Sequence, residues 1–203
     1  MVNSVKVPAQ RWVEEARRTL SEEGIEAVKV DRLAQRIGVS RGGFYHHFVD
    51  RADLLSRLLK LWYETILFVP LRLVLRNPAD ALRAVDEIVD HLIREDIYDP
   101  RFDLAVREWA RSDPTVAVAV AGVDAKRIAA LYEVFLAFGC GKKEADLRAR
   151  VFYFHQIGYY AIGIDEPEPG RRERARTYVE ILCGEANIAR ASAPAAGRKR
   201  KRA

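Results

Sequence analysis

Cysteine is nearly absent from this sequence: Cys140 and Cys183 are the two in 203 residues. They form no CxxC pair and no Cys/His cluster. A disulfide framework and a zinc-type centre are therefore not expected, and two ordinary thiols in a reducing compartment are. No HExxH and no GxxxxGK run occurs, so the ligand spacing of a zinc peptidase and the phosphate-cradling loop are both missing. An enzyme is not expected, and neither a cofactor nor a metal is implied. Long apolar runs are missing too. The longest notable uncharged stretch, Val151 to Ile164, has 14 residues, too short for a helix to span a bilayer. The opening MVNSVKVPAQRW has no apolar signal-peptide core. No membrane partner and a cytoplasmic location are expected.

A charge excess is lacking once position is considered. The formal net charge is +5, from 34 basic and 29 acidic residues. Six of the basic residues, Arg190 and the run Arg198, Lys199, Arg200, Lys201 and Arg202, stand in the last fourteen positions. Without those six, 28 basic residues face 29 acidic ones, a net of −1. The body is not basic as a whole, so distribution is the better guide to a polyanionic partner. Between Lys29 and Lys60 seven basic residues stand against three acidic, with His46 and His47 beside them.

What is present is helical spacing, with no alternating β-branched run bounded by turn signals. Trp12, Val13, Ala16 and Leu20 mark one helix, stopped at Gly24; Val30, Leu33, Ala34 and Ile37 mark a short second, stopped at Gly38. A third begins after Ser40. A fourth starts near Asp50 and carries Leu54, Leu55, Leu58, Leu59 and Trp62 toward the seventies. Asn77-Pro78, Asp99-Pro100 and Asp113-Pro114 then repeat one signature. The polar residue caps free N–H groups, and proline takes the first helical position, where no N–H is needed. They open helices of about 78–95, 101–111 and 114–138. Gly139 and Gly141 interrupt, a helix runs from about Lys143 to Ile164, Asp165 to Gly170 is a loop, and Arg171 to Cys183 is helical again. From Ala189 the composition turns to Ala, Ser, Pro, Gly and Arg/Lys, which predicts a disordered tail. The expected class is all-α with about nine helices. Its expected divisions are a DNA-binding domain over 1–50, a helical body over 51–188 and a basic tail over 189–203.

The most informative stretch is Val30 to Phe48. Two short helices joined by a tight turn at Gly38 make a helix-turn-helix pattern. Leu33, Ala34 and Ile37 pack the first helix, and the small Ala34 lets the second cross close by. Ser40 is placed to N-cap the second helix. Val39 and Phe44 then have the spacing of a hydrophobic staple. Gly42 and Gly43 follow, at roughly 1 kcal/mol each in helix propensity relative to alanine. Either the turn is poorly optimised, or the helix start must approach another surface closely, as the major groove requires. Arg41, Tyr45, His46 and His47 supply hydrogen-bonding groups, while Phe44 and Phe48 anchor the inner face. Asp50 is placed to cap the fourth helix. Arg51 follows at its first position, where a cation opposes the helix dipole and makes sense facing a phosphate.

The stretch from about Trp12 to Leu59 resembles the DNA-binding domain of TetR-family regulators. The likeness is strongest in Leu33-Ala34, in Gly38-Val39-Ser40-Arg41-Gly42-Gly43-Phe44-Tyr45-His46-His47-Phe48, and in Arg51 with Leu54-Leu55. It implies that Arg41, Gly42 and Gly43 read base edges, that Tyr45 and His47 hold phosphates, that His46 reaches either, and that Arg51 meets the DNA backbone. Lys29 departs from the pattern, since the family usually has Thr or Ser there to contact phosphate and cap the helix. Lys29 reaches a phosphate but cannot cap, and Asp31 in the first turn compensates in part through the dipole. The DNA-binding set is thus Lys29, Ser40, Arg41, Gly42, Gly43, Tyr45, His46, His47 and Arg51. The expected partner is double-stranded DNA with a pseudo-palindromic operator, bound by a homodimeric repressor.

The resemblance also implies a body that dimerises through its last two helices and binds a small apolar effector. Val151 to Ile164 is apolar nearly all round, which calls for burial on several sides. It reads either as plain core or as core plus a dimer seam of Tyr153, Ile157, Gly158, Ala161, Tyr178 and Ile181. Trp62, Phe102, Trp109, Tyr132, Phe135 and Tyr153, with His91 and His155, either line an effector cavity or are ordinary core. The terminal Arg/Lys run either adds unspecific phosphate attraction or is a solvated end. A regulator that senses a partner protein, or no ligand, fits the same sequence.

Overall fold

The computed structural model describes residues 7–65, 75–164 and 166–193. These residues form α1 (Ala9–Glu23), α2 (Val30–Ile37), α3 (Gly42–Tyr45), α4 (Arg51–Thr65), α5 (Pro78–Arg94), α6 (Pro100–Trp109), α7 (Pro114–Ala137), α8 (Lys142–Ile162), α9 (Glu168–Cys183) and α10 (Glu185–Ser192). A 3-10 turn spans Ile25–Ala27, and no strand is present among the described residues. The all-α class expected from the sequence is what the chain adopts. The last part of the fourth helix as expected, Asp165 and residues 194–203 lie outside the described residues.

The three Asn/Asp-Pro signatures act as the sequence suggests. Asn77 Oδ1 accepts from the Asp80 N–H at 3.0 Å, and Asp99 Oδ1 from the Phe102 N–H at 3.0 Å. Asp113 Oδ1 accepts from Thr115 at 2.9 Å and from Val116 at 3.3 Å. Asp50 caps α4 through the Asp53 N–H at 2.9 Å, and Asp53 returns the favour to the Val49 N–H at 3.2 Å. Such reciprocal caps satisfy donors that a helix start leaves open.

Two expectations need correction. Helix α9 begins at Glu168 rather than Arg171, because Pro169 suits the first turn of a helix and does not break it. The tail expected from Ala189 is helical as far as Ser192, which adds a tenth helix. Packing outweighs composition there. Asn187 and Ala191 are buried, and Arg190 Nη1 donates to Phe138 O at 3.2 Å just past the C-terminus of α7, where a cation is favoured. Arg190 therefore belongs to the fold and not to the basic tail.

The described residues fall into two compact units. One holds α1 to α4, residues 95–126 with α6 and the first half of α7, and 160–163. It therefore extends well past residue 50. Its core is Trp12, Leu20, Leu33, Phe44, Leu54, Leu58, Trp62 and Phe102, all nearly inaccessible. Asp103, itself buried, accepts from Trp62 Nε1 at 2.9 Å, from Tyr98 Oη at 2.8 Å and from Arg107 Nε at 3.3 Å. Arg107 then grips Asp124 with two hydrogen bonds of 2.7 and 3.1 Å. This network ties α4, α6 and α7 within the unit.

The second unit holds α5, the rest of α7, α8 to Tyr159, α9 and α10. Helix α5 packs on α9 and α10, with Arg172 bonded to Asp90 at 2.8 Å. Cys140 and Cys183 are buried and free. Burial pushes the Cys183 thiol up to about 12, which keeps it protonated and unreactive at neutral pH. No helix among the described residues is long and apolar enough to cross a membrane.

Candidate nucleic-acid interface

The helix-turn-helix is held from within. Helix α2 ends at Gly38, whose φ of 79° and ψ of 33° lie in the left-handed region open to glycine. Gly38 N–H donates to Gln35 O at 3.2 Å and Val39 N–H to Ala34 O at 3.0 Å, the double closure of a Schellman turn. Helix α3 is a single turn. Its inner face is Phe44, which meets Trp12 edge-on at 5.4 Å and stacks on Phe48 at 4.8 Å. Arg57 covers the Phe48 ring at 4.6 Å and hydrogen-bonds Asp53 at 3.1 and 3.2 Å. That contact first, then the Val49 N–H, holds the Asp53 carboxyl below its usual range.

The outer face of α3 is open. Arg41, Gly42, Tyr45 and His46 are exposed, and 41/45 and 42/46 are one helical turn apart, so they share a surface. Arg41 Nε lies 3.0 Å from Asp31 Oδ1, itself exposed on the first turn of α2. Ser40 uses its carbonyl, which accepts from the Gly43 N–H at 3.1 Å. Arg41 already has helical dihedrals, and no side-chain cap hydrogen bond is made at this start. The hydroxyl cap expected of Ser40 is thus not formed. Lys29 is exposed and makes no cap, as its chemistry dictates.

The two glycines differ. A Cβ on Gly42 would meet only Ser40 Oγ at 3.7 Å, whereas one on Gly43 would meet the Trp12 ring at 3.7 Å. Gly42 therefore belongs to the open surface, and Gly43 keeps the helix close to α1. Sequence periodicity could not separate them, because α3 is too short to show a face. We expect Gly42→Leu to leave the melting temperature equal or higher, since leucine is the better helix former by about 0.5–1 kcal/mol. DNA binding by that variant should be lost, because the side chain keeps the backbone off base edges. Thermal melts beside gel-shift titrations check both halves; retained DNA affinity would remove Gly42 from the contact surface.

Several expected DNA-facing side chains have partners inside the protein. Arg51 donates through Nε to Val28 O at 2.6 Å and through Nη2 to Ile25 O at 2.9 Å, tying the start of α4 to the turn before α2. His47 Nε2 is 2.7 Å from Val7 O, and His47 O accepts from Arg57 Nη2 at 2.9 Å. Arg36 bonds Thr19 Oγ1 at 3.0 Å and pairs with the buried Glu15 and with Glu23, which Arg32 also engages. Most of the basic excess between Lys29 and Lys60 is therefore internal cross-linking. Sequence reading missed these roles because the acceptors are carbonyls and distant glutamates. Gly38 to Gly42 also has the G-x-S-x-G spacing of a nucleophile elbow, which that reading passed over. Such an elbow needs a strand entering the turn, and here helix α2 enters it.

The expected effector residues are divided between the two units. Trp62, Phe102 and Trp109 are buried in the first unit; His91, Tyr132, Phe135, Tyr153 and His155 are in the second. A small cavity of about 50 Å³ lies between α5, α8 and α9, lined by Val89, Phe152, His155, Gln156 and Tyr178 among others. Of the expected set, His155 alone reaches it. Burial lowers the His155 imidazole pKa from its usual value. Of the expected seam, Tyr153 is buried, Ile157 and Gly158 are half-buried, and Ala161, Tyr178 and Ile181 are exposed.

Residues 13–58 match the family described as bacterial regulatory proteins, tetR family. The chain is 29% identical over 92 residues to the HTH-type transcriptional regulator AcrR of Shigella flexneri, covering 45% of this chain and 43% of that protein. It is 37% identical over 54 residues to an HTH-type transcriptional regulator of Staphylococcus aureus (strain USA300), covering 27% and 29%. The chain thus spans under half the length of these curated relatives. A crystal structure of a transcriptional regulator from Rhodococcus sp. Rha1 superposes with a TM-score of 0.67 at 22% identity, over 93% of this chain and 100% of that one. The fold is shared along nearly the whole chain, and the family match falls on the helix-turn-helix.

Proposed function

We propose that this chain, whose N-terminal domain is of the tetR family of bacterial regulatory proteins, is a dimeric transcriptional repressor that reads a double-stranded operator with α3. The observation that carries the reading is the outer face of that helix. Arg41, Gly42, Tyr45 and His46 form an open surface of hydrogen-bonding groups and bare backbone, above a fixed aromatic floor. Base edges in the major groove call for that combination. Lys29, exposed beside the start of α2, supplies phosphate attraction. Such a protein works in the cytoplasm, where its DNA is. Selection of duplexes from a random pool by the purified chain tests the reading. A pseudo-palindromic motif is the expected result, and no enrichment would overturn it.

The dimer rests on an apolar face. On α8, Leu147, Val151 and Phe154 are more than half exposed and line up with Gly158 at helical spacing. On α9, Tyr178 and Ile181 are exposed, and the His155 and Tyr178 rings sit 4.6 Å apart between the two helices. A contiguous apolar surface of this kind marks an association site. A Cβ on Gly158 would meet nothing within 4 Å, so a side chain can start there without a clash inside one chain. Gly158→Arg should therefore leave helicity and melting cooperativity intact and shift the protein to monomer in sedimentation. An unchanged dimer would move the seam elsewhere.

Release by a small apolar molecule is the finer part of the reading. The cavity between α5, α8 and α9 is about 50 Å³. An effector needs about 300 Å³ or more. A larger open groove of about 620 Å³ lies beside it between α5, α9 and α10; the second reading is a regulator that responds to a partner protein or to no ligand. Calorimetry against candidate small molecules separates the two.

A further inference from the structure

We infer that Asp31 is a specificity-determining residue, which positions Arg41 to read a guanine and keeps it off phosphate. The inference rests on the DNA-reading face proposed above. Asp31 Oδ1 lies 3.0 Å from Arg41 Nε, and both side chains are well exposed. The pair bridges the two helices of the helix-turn-helix, from the first turn of α2 to the start of α3.

Arginine carries five N–H donors in a rigid planar fork. With Nε engaged by Asp31, Nη1 and Nη2 at the end edge of the guanidinium are the pair of donors left for a base. Two parallel donors from one edge match the O6 and N7 acceptors of guanine in the major groove. Adenine offers a donor where guanine offers O6, so this edge prefers guanine.

A phosphate would also accept a fork from arginine. The difference is charge. A phosphate approaching Arg41 enters the field of the Asp31 carboxylate, while a guanine edge brings no net charge. Like-charge juxtaposition suppresses the wrong contact, and a repulsive element of this kind is how interfaces gain discrimination rather than affinity. Among the cations around the helix-turn-helix, Arg32 and Arg36 pair with acidic residues of α1, whereas Arg41 pairs on the open side with a residue of the reading motif itself. The exposed ion pair adds little to fold stability, so its loss leaves the domain intact.

The test uses the full chain and the duplex it selects. Wild type, Asp31→Ala, Arg41→Ala and the double variant are titrated on four duplexes that differ in the base facing Arg41, and on random duplex at several salt concentrations. For Asp31→Ala the preference for guanine at that position should fall by about fivefold or more. Its affinity for random DNA should rise, with a salt slope steeper by about 0.9, since Arg41 is released to a phosphate. In the Arg41→Ala background the Asp31 substitution should no longer change the base preference, because it acts on that preference through the arginine. If Asp31→Ala keeps the wild-type base preference and salt slope, the assignment to Asp31 is overturned while DNA reading stands. A wild-type chain that selects no sequence overturns both.

Discussion

Phe44→Ala dismantles the helix-turn-helix end of the chain, at a cost of about 3–5 kcal/mol. Phe44 is fully buried, and three rings surround it: Trp12 at 5.4 Å, Tyr45 at 5.3 Å and Phe48 at 4.8 Å. Helix α3 is one turn long, far below the length at which a helix holds itself, so this side chain fixes it in place. Removing the ring leaves a cavity under the turn that α1 and α4 cannot close without moving. Amide exchange in residues 30–48 should rise toward the unprotected rate, and the melting temperature should drop. Tyr45→Ala, one residue on and 54% exposed, should change stability by about 0.5 kcal/mol or less. Equal protection in Phe44→Ala and wild type would mean that the aromatic floor is not what holds α3.

Asp103→Ala should be comparably severe, for an electrostatic reason. Asp103 is 1% exposed and accepts from Trp62, Tyr98 and Arg107. Deleting the carboxylate leaves the buried Trp62 indole N–H unmatched, takes an acceptor from Tyr98 and removes one of the anions that Arg107 faces. Breaking one side of a buried charge network costs about 3–5 kcal/mol, much more than the intact network contributes over a well-packed apolar substitute. Asp103→Asn keeps the shape and one acceptor and should lose less. Trp62→Phe removes a single hydrogen bond and should cost about 1 kcal/mol from that loss. Chemical denaturation of the three variants gives the order, and an Asp103→Ala protein as stable as Trp62→Phe would show that the network is incidental.

The three Asn/Asp-Pro helix starts, the stop at Gly38 and the aromatic anchors at Phe44 and Phe48 were legible because each is a local matter of caps, turns or periodicity. The open face of α3, with Arg41, Gly42, Tyr45 and His46 exposed, was legible in part for the same reason. What stayed hidden depends on distant partners. Arg36 reads as part of a basic footprint until Glu15 and Glu23 of α1 are seen beside it. Arg51 reads as a phosphate ligand until Val28 and Ile25 offer their carbonyls. Gly42 and Gly43 look alike until Trp12 lies under one of them. Arg190 looks like tail until α10 brings it to the end of α7. Side-chain exposure on α8 was misread in part, since an all-round apolar stretch gives no phase by which to tell inward from outward.

The compact unit that carries the helix-turn-helix is discontinuous in the chain, and this bears on how such a helix-turn-helix head can be transplanted. Helix α6 arrives from residues 100–109, yet it packs on α1, with Arg17 of α1 paired to Asp99 and lying over the Phe102 ring at 5.4 Å. It also takes the Trp62 indole of α4 through Asp103. A fragment cut after residue 65 would bare the flank of α1 and leave that indole N–H facing water. The head is thus not a cassette that can be joined at its last helix to any other body. A chimera that exchanges the outer face of α3 must either replace its few outward side chains in place or carry residues 95–126 along with the N-terminus.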